Sequence, residues 1–321
     1  MPKFLLTSFA KAEKFPKYLS ANHSMKNMIK KLLSSSVYFQ SLALIVLTYF
    51  GFSLLGEGIF LTITAFFAAS VANATAIGGG FLFMPLFIFV YKLAPAVALK
   101  LSIATQAFGM TSGALAWGRK YIDKKAFILA SSASILGVWV ATHLWVVPSN
   151  YIKPLFALIS LGVFFALILE MRLKVVDEQQ TAKFVLDVTA VFFVFFAFFG
   201  GLITGWTAIG VGEVVALYLL FFYRLRLDIA IGTGVAVLAV SSIAGLIFHL
   251  HLGGIAWELL AFTVPGVILG GRYGVKIAKH IELEVKQSAS RNMIKKSPLK
   301  LIFAFVILID CIVIFLSELV I

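Results

Sequence analysis

The sequence predicts an all-α polytopic membrane protein: two inverted-topology repeats of about five segments each plus a leading helix, with Gly-broken helices meeting near the midplane. Three observations predict it. First, Thr75-Ala76-Ile77-Gly78-Gly79-Gly80 returns in the second half of the chain as Thr207-Ala208-Ile209-Gly210-Val211-Gly212. At the same offset the pairing runs on without a gap through Tyr91 and Tyr223, Leu93 and Leu225, Ala98 and Ala230, Ala104 and Ala236, and Gly113 and Gly245. Duplication with interrupted apolar segments points to a membrane carrier whose site lies between its halves. Second, 61% hydrophobic residues, 32 Phe and only 13% charged residues leave too little polar surface to cover so apolar a mass. The apolar runs approach the 20 or so residues that cross a bilayer, which favours helices over the short alternating strands of a barrel. Third, the basic residues gather between the apolar runs, so the net charge of +13 reflects topology and not a nucleic-acid partner.

Taken in order, residues 1–36 carry seven Lys against one acid, Glu13, and form a basic cytoplasmic tail suited to anionic lipid. Residues 37–57 are the leading transmembrane helix. The first repeat, 58–170, divides into apolar segments at 58–77, 80–91, 95–117, 126–147 and 152–170. A polar linker, 171–183, contains Asp177-Glu178-Gln179-Gln180. The second repeat, 184–321, divides at 184–209, 212–223, 228–249, 255–275 and 300–320, and the basic stretch 276–300 is too polar to enter hydrocarbon.

If the amino terminus is inside and every segment crosses, 23 of the 27 Lys and Arg fall on the cytoplasmic side, as the positive-inside rule requires. Lys92 and Lys153 fall in opposite loops, and Lys100 and Arg272 lie within segments. Should 80–91 and 212–223 fail to cross, Arg119 to Lys125 would be stranded outside, so they count as crossings. Five segments is an odd number, which reverses the second unit relative to the first.

The stretch from Gly58 to Tyr91 has to supply two crossings. At about 1.5 Å per residue, and with the three glycines set aside, each crossing has about 23 Å of helix, against a hydrocarbon core of about 30 Å. The glycine break is therefore drawn into the membrane, where freed N–H groups persist only against protein, water or a ligand. Half-helices starting at Gly80 and Gly212 aim their positive dipole ends inward, a receptor for a small-molecule anion built from Gly78, Gly79, Gly80, Gly210 and Gly212. The competing reading is that these glycines only let helices pack closely.

Two ionisable residues break the repeat. Lys100 stands opposite Gly232 and Glu213 opposite Phe81, and the topology puts both in the outer half of the membrane. They pair with each other, or Lys100 receives the substrate charge while Glu213 carries a proton; the alternative for Lys100 is a snorkelling side chain. Thr105, Gln106, Thr233, Ser102, Thr75 and Thr207 offer hydrogen bonds to an oxyanion, or else bond their own helix backbone. Asp310 is a second proton-coupling candidate or a bond between helices. Arg272 reads as an anchor, Asp187 and Glu170 as interfacial, and His249 and His251 as a solvated outer turn without further zinc ligands. The lone Cys311 excludes an intrachain disulfide and a Cys-based metal cluster, and no cofactor is expected.

These residues resemble the sulfite exporter TauE/SafE family. The first half carries its pattern in Ile77-Gly78-Gly79-Gly80-Phe81-Leu82-Phe83-Met84-Pro85-Leu86, then Pro95, Ala98 and Tyr121-Ile122-Asp123. The second carries it in Phe199-Gly200-Gly201-Leu202-Ile203-Thr204-Gly205, Ile209 to Gly212, Ala230-Ile231-Gly232-Thr233, Val264-Pro265-Gly266 and Gly270-Gly271. The resemblance covers about residues 40–320 and departs from the pattern at Lys100 and Glu213. It implies a transporter of sulfite, sulfonates or other small sulfur-containing or organic anions in a bacterial cytoplasmic membrane.

The function expected is secondary transport of a small anion: export of sulfite or a related anion, coupled to protons and run by alternating access. An anion channel is the alternative, separable by flux that fails to saturate. An intramembrane enzyme fits less well: Gly-x-Ser-Gly, Gly-x-Gly-Asp and His-Glu-x-x-His are all missing from the chain.

Overall fold

The computed structural model describes residues 56–172 and 184–289. The basic tail, nearly all of the leading segment and of the linker, and the last segment with Asp310 and Cys311 lie outside the described residues. Nine α-helices form within them, and no strand: α1 Gly56–Thr75, α2 Gly80–Pro85, α3 Pro95–Trp117, α4 Lys124–His143, α5 Ser149–Arg172, α6 Val188–Thr207, α7 Val211–Phe221, α8 Leu227–Leu252 and α9 Trp257–Ala289. A π-helical turn, Leu86–Val90, prolongs α2 beyond Pro85.

Local chemistry sets the boundaries. Pro95 opens α3 at its first turn, where its missing N–H costs nothing. Asp123 caps α4 by accepting from the N–H groups of Lys125 and Ala126, and Asp187 caps α6 by accepting from Ala190. Gly253, at φ 64°, ends α8 in a positive-φ conformation that glycine adopts without a Cβ clash.

One boundary differs from the sequence expectation. The segment ending near 275 continues as helix to Ala289, through the basic stretch read as a connection. A helix satisfies its own backbone and needs no apolar surroundings to continue. Lys279 ties this extension down: Nζ donates to the carbonyl of Ala116 at 2.9 Å and lies over the rings of Trp117 and Tyr121.

Among the described residues, four helices are long and apolar enough to cross a bilayer: Gly58–Thr75, Lys124–His143, Val188–Thr207 and Leu227–Leu252. Their outward faces carry Phe60, Phe67, Ile128, Val188, Val191 and Phe195, all exposed, an apolar surface that suits lipid. The stretches Gly80–Val90 and Val211–Phe221 are apolar but short. Each spans about 16 Å at 1.5 Å per residue, about half the hydrocarbon core.

Packing interleaves the chain. The most extensive helix contacts join α1 to α9 and α4 to α6, each pairing a helix of the first repeat with one of the second, while α3 lies against α8 and α9. Small residues make the close approach possible. A Cβ on Gly266, Gly270 or Gly274 of α9 would stand 2.0–2.2 Å from the carbonyl oxygens of Thr62, Phe66 and Ser70 of α1. Thr62 adds a hydrogen bond of 2.7 Å to the carbonyl of Phe262. In the other pair, Gly137 of α4 and Gly201 of α6 meet the backbone of Phe198 and Ser134 respectively.

Among the described residues, four non-glycine residues take positive φ, and they fall into two pairs related by the offset of the repeated motif: Ala76 and Ala208, both at 61°, and Lys92 and Arg224, at 54° and 50°. The left-handed region costs an alanine about 1 kcal/mol, so the surrounding packing imposes the same backbone path at both breaks.

Candidate anion site at the two helix breaks

The chain leaves helix at Thr75 and resumes at Gly80, and leaves it again at Thr207 to resume at Val211. The two breaks touch. A Cβ on Gly80 would stand 2.2 Å from the carbonyl oxygen of Ala208, and one on Gly212 would stand 2.8 Å from that of Ala76. Each left-handed alanine thus presses its carbonyl against the first turn of the other half-helix, and only glycine leaves room.

Four amides at the breaks are aimed at side-chain oxygens. Glu213 Oε1 accepts from Gly78 N–H at 2.5 Å, and its Oε2 accepts from Gly210 N–H at 3.2 Å. The second bond is the carboxylate half of a capping box, with Glu213 at the third position of α7 reaching back to the residue that precedes the helix. Gly80 N–H donates to Gln106 Oε1 at 3.0 Å, and Val211 N–H donates to Thr204 Oγ1 at 3.1 Å. Gln106 is held in turn, its Nε2 donating to Ser242 Oγ at 2.9 Å. Glu213 is 4% exposed and Gln106 1%. A buried carboxyl group that accepts from N–H groups of two separate segments ties the two breaks together.

Glu213 is not sealed off. A small cleft reaches it, lined by Thr75, Ile77, Ala216, Ala230 and Ile231 among others. Leu227, Ala230 and Ile231 belong to the first turns of α8, so the cleft lies beside the end of that helix that follows Arg226. The named lining contains no titratable group besides Glu213.

The other sequence candidates scatter. Lys100 does not meet Glu213: its Nζ donates to the carbonyl of Gly253 at 2.8 Å, at the far end of α3. The hydroxyl of Thr233 accepts from Asp123 N–H and holds the loop before α4. Thr105 shares a bond of 3.1 Å with Thr263, one residue before Gln106. Gly79 lies between two site residues and faces the ring of Phe83. Thr75 and Thr207 donate to their own helices, at Val71 and Ile203. His249 corrects the expectation of a solvated turn: it is 5% exposed within α8, although His251 is exposed. No group of three or more His, Cys, Asp or Glu able to hold a metal occurs among the described residues.

Sequence reasoning gave too little weight to Gln106, Ser242, Thr204 and Thr263. A signal existed for two of them. In the alignment of the two halves Gln106 pairs with Leu238 and Ser242 with Met110, so a polar side chain replaces an apolar counterpart at each position.

Comparison with known proteins fits this architecture. The chain is 21% identical over 247 residues to the probable membrane transporter protein YunE of Bacillus subtilis (strain 168), covering 70% of this chain and 89% of the relative. No solved structure matches. Residues 61–309 match the family described as sulfite exporter TauE/SafE. With helices apolar enough to cross a bilayer several times and a family match over most of its length, this is a multi-pass membrane transporter that belongs to the sulfite exporter TauE/SafE family.

Proposed function

We propose that the chain is a secondary transporter that exports a small anion, sulfite or a related sulfur-containing or organic anion, with proton coupling and by alternating access. One observation carries the reading: the carboxylate of Glu213 bridges the Gly78 and Gly210 amides, so the breaks are built to hold negative charge. In this reading the halves are inverted repeats, and the amides of Gly78, Gly80, Gly210 and Gly212 are the substrate site near the midplane.

Glu213 and a free anion compete for the same donors. Protonation of Glu213 withdraws its charge-assisted bonds and leaves the amides to the substrate, so proton and anion load together. The cleft from the Arg226 end is the loading route, and the breaks rock against each other along the Gly80 to Ala208 and Gly212 to Ala76 contacts. By the distribution of basic residues that end faces the cytoplasm, in a bacterial cytoplasmic membrane with the amino terminus inside. Asp310 is a second proton-site proposal.

The test is flux in proteoliposomes loaded with sulfite. The expected result is saturable efflux with counterflow, faster when the loading side is acidified, and indifferent to pH in Glu213→Gln. Efflux that rises linearly with concentration would mean a channel, and pH dependence surviving in Glu213→Gln would remove Glu213 from the coupling.

A further inference from the structure

A second constellation lies at the opposite end of the bundle from the cleft. His249 is 5% exposed, yet neither Nδ1 nor Nε2 has a hydrogen-bond partner. A buried polar group left unpaired is costly, so a ring with two such atoms points to a ligand. The packing of α8 fixes where it faces. One turn earlier, Gly245 lies against Ile103 of α3 and Val138 of α4. Moving outward by a turn along all three helices carries His249 to the level of Lys100 of α3 and of Thr142 and His143 of α4.

The charges there are one-sided. Lys100 and His143 are the ionisable neighbours whose fields reach the ring. No carboxylate among the described residues lies within ion-pair distance of Lys100. Its ammonium spends one of three protons on the Gly253 carbonyl, which leaves two. His143 stacks on Trp139 and meets the edge of Phe248, which keeps it beside His249. The Thr142 hydroxyl is turned to its own helix, at Val138.

We propose that Lys100 and His249 form a second oxyanion-binding station, where the ammonium supplies charge and the imidazole N–H supplies a directed hydrogen bond to a small free oxyanion such as sulfite or sulfate. Its place as the far mouth of the anion path rests on the transporter reading above; the binding itself does not. Set at the end of the helices remote from Glu213, it receives the anion after the central site releases it.

The experiment titrates the full chain in neutral detergent with sodium sulfite and sodium sulfate while following the imidazole 15N signals, with His249 assigned through His249→Asn. The expected result is a saturable shift of His249, weakened about tenfold or more in Lys100→Gln and unchanged in Glu213→Ala. The last variant separates the two sites: a central site that fails leaves the His249 shift intact. His249 signals unmoved by either anion would mean a ring satisfied by water, and would overturn the proposal. So would an equal shift in Lys100→Gln, or a shift produced by short-chain phosphatidylglycerol and not by the free anions. Size-exclusion profiles of each variant, with Lys100→Arg restoring the shift, distinguish lost binding from lost folding.

Discussion

Glu213 Oε1 lies 2.5 Å from the amide nitrogen of Gly78, a residue 135 positions earlier in the chain. The contact joins the first turn of α7 to the break between α1 and α2, and the second carboxylate oxygen closes the bridge on Gly210. Glu213→Gln keeps the shape but loses the charge and one acceptor. It is expected to lower stability by roughly 1–3 kcal/mol, the cost of a buried N–H left unsatisfied, and to abolish the pH dependence of efflux. Thermal denaturation in detergent and proteoliposome flux check the two parts.

Gly80→Ala is expected to be among the most damaging single methyl additions in the chain. The new Cβ would stand 2.2 Å from the Ala208 carbonyl oxygen, and backbone cannot step aside as a side-chain tip can. Overpacking of this kind costs about 1–3 kcal/mol. Gly162→Ala is the control: nothing lies within 4 Å of its Cβ and its φ is ordinary. Helix propensity then favours alanine, by up to about 1 kcal/mol. Paired melting curves showing no difference between these variants would refute the contact between the breaks.

Gln106→Leu removes the acceptor for Gly80 N–H and the donor to Ser242 together. Leucine is what the duplicated position, Leu238, carries, so the helix itself tolerates it. Stability is expected to fall by about 1–3 kcal/mol because the Gly80 N–H remains buried and unpaired, which melting curves in detergent measure. Combining it with Ser242→Ala is expected to cost less than the sum of the two single effects, a coupling that a double-mutant cycle measures.

Asp187 caps α6 at the surface, where the hydroxyl of Thr189 bonds its carboxylate and, with the Tyr223 hydroxyl and the Ala190 N–H, holds its pKa below the ordinary value of 3.8. Burial, and then the Asp187 carboxylate it donates to, push Tyr223 up to about 12. A carboxylate whose folded pKa is depressed stabilises the protein above the unfolded value, and the contribution disappears as pH falls through the folded one. The melting-temperature difference between wild type and Asp187→Asn is therefore expected to be full at pH 6 and to shrink below the ordinary carboxylate value. A difference that grows on acidification would reverse the sign of this assignment.

Helix placement was largely legible because apolar runs, Pro95, Asp123 and the glycine breaks each act through local chemistry. The paired left-handed alanines add backbone detail at the site of the repeated motif. The far ends of helices were less legible: α9 runs to Ala289 through Lys276 and Lys279 because helical hydrogen bonds close within the segment whatever the side chains, and because Lys279 finds the end of α3. Lys100 and Glu213 stand out in the sequence as ionisable residues in apolar helices, but their partners do not follow from spacing along the chain.

By itself the sequence determined that the chain crosses a membrane several times and that it carries one motif twice, since hydropathy and repetition are both written in the order of residues along the chain. Tertiary structure alone decided which acceptor meets which amide. Glu213 reaches Gly78, Gln106 reaches Gly80, and Lys100 turns away to Gly253, because hydrogen bonds of about 3 Å depend on how helices far apart in sequence come to rest against one another.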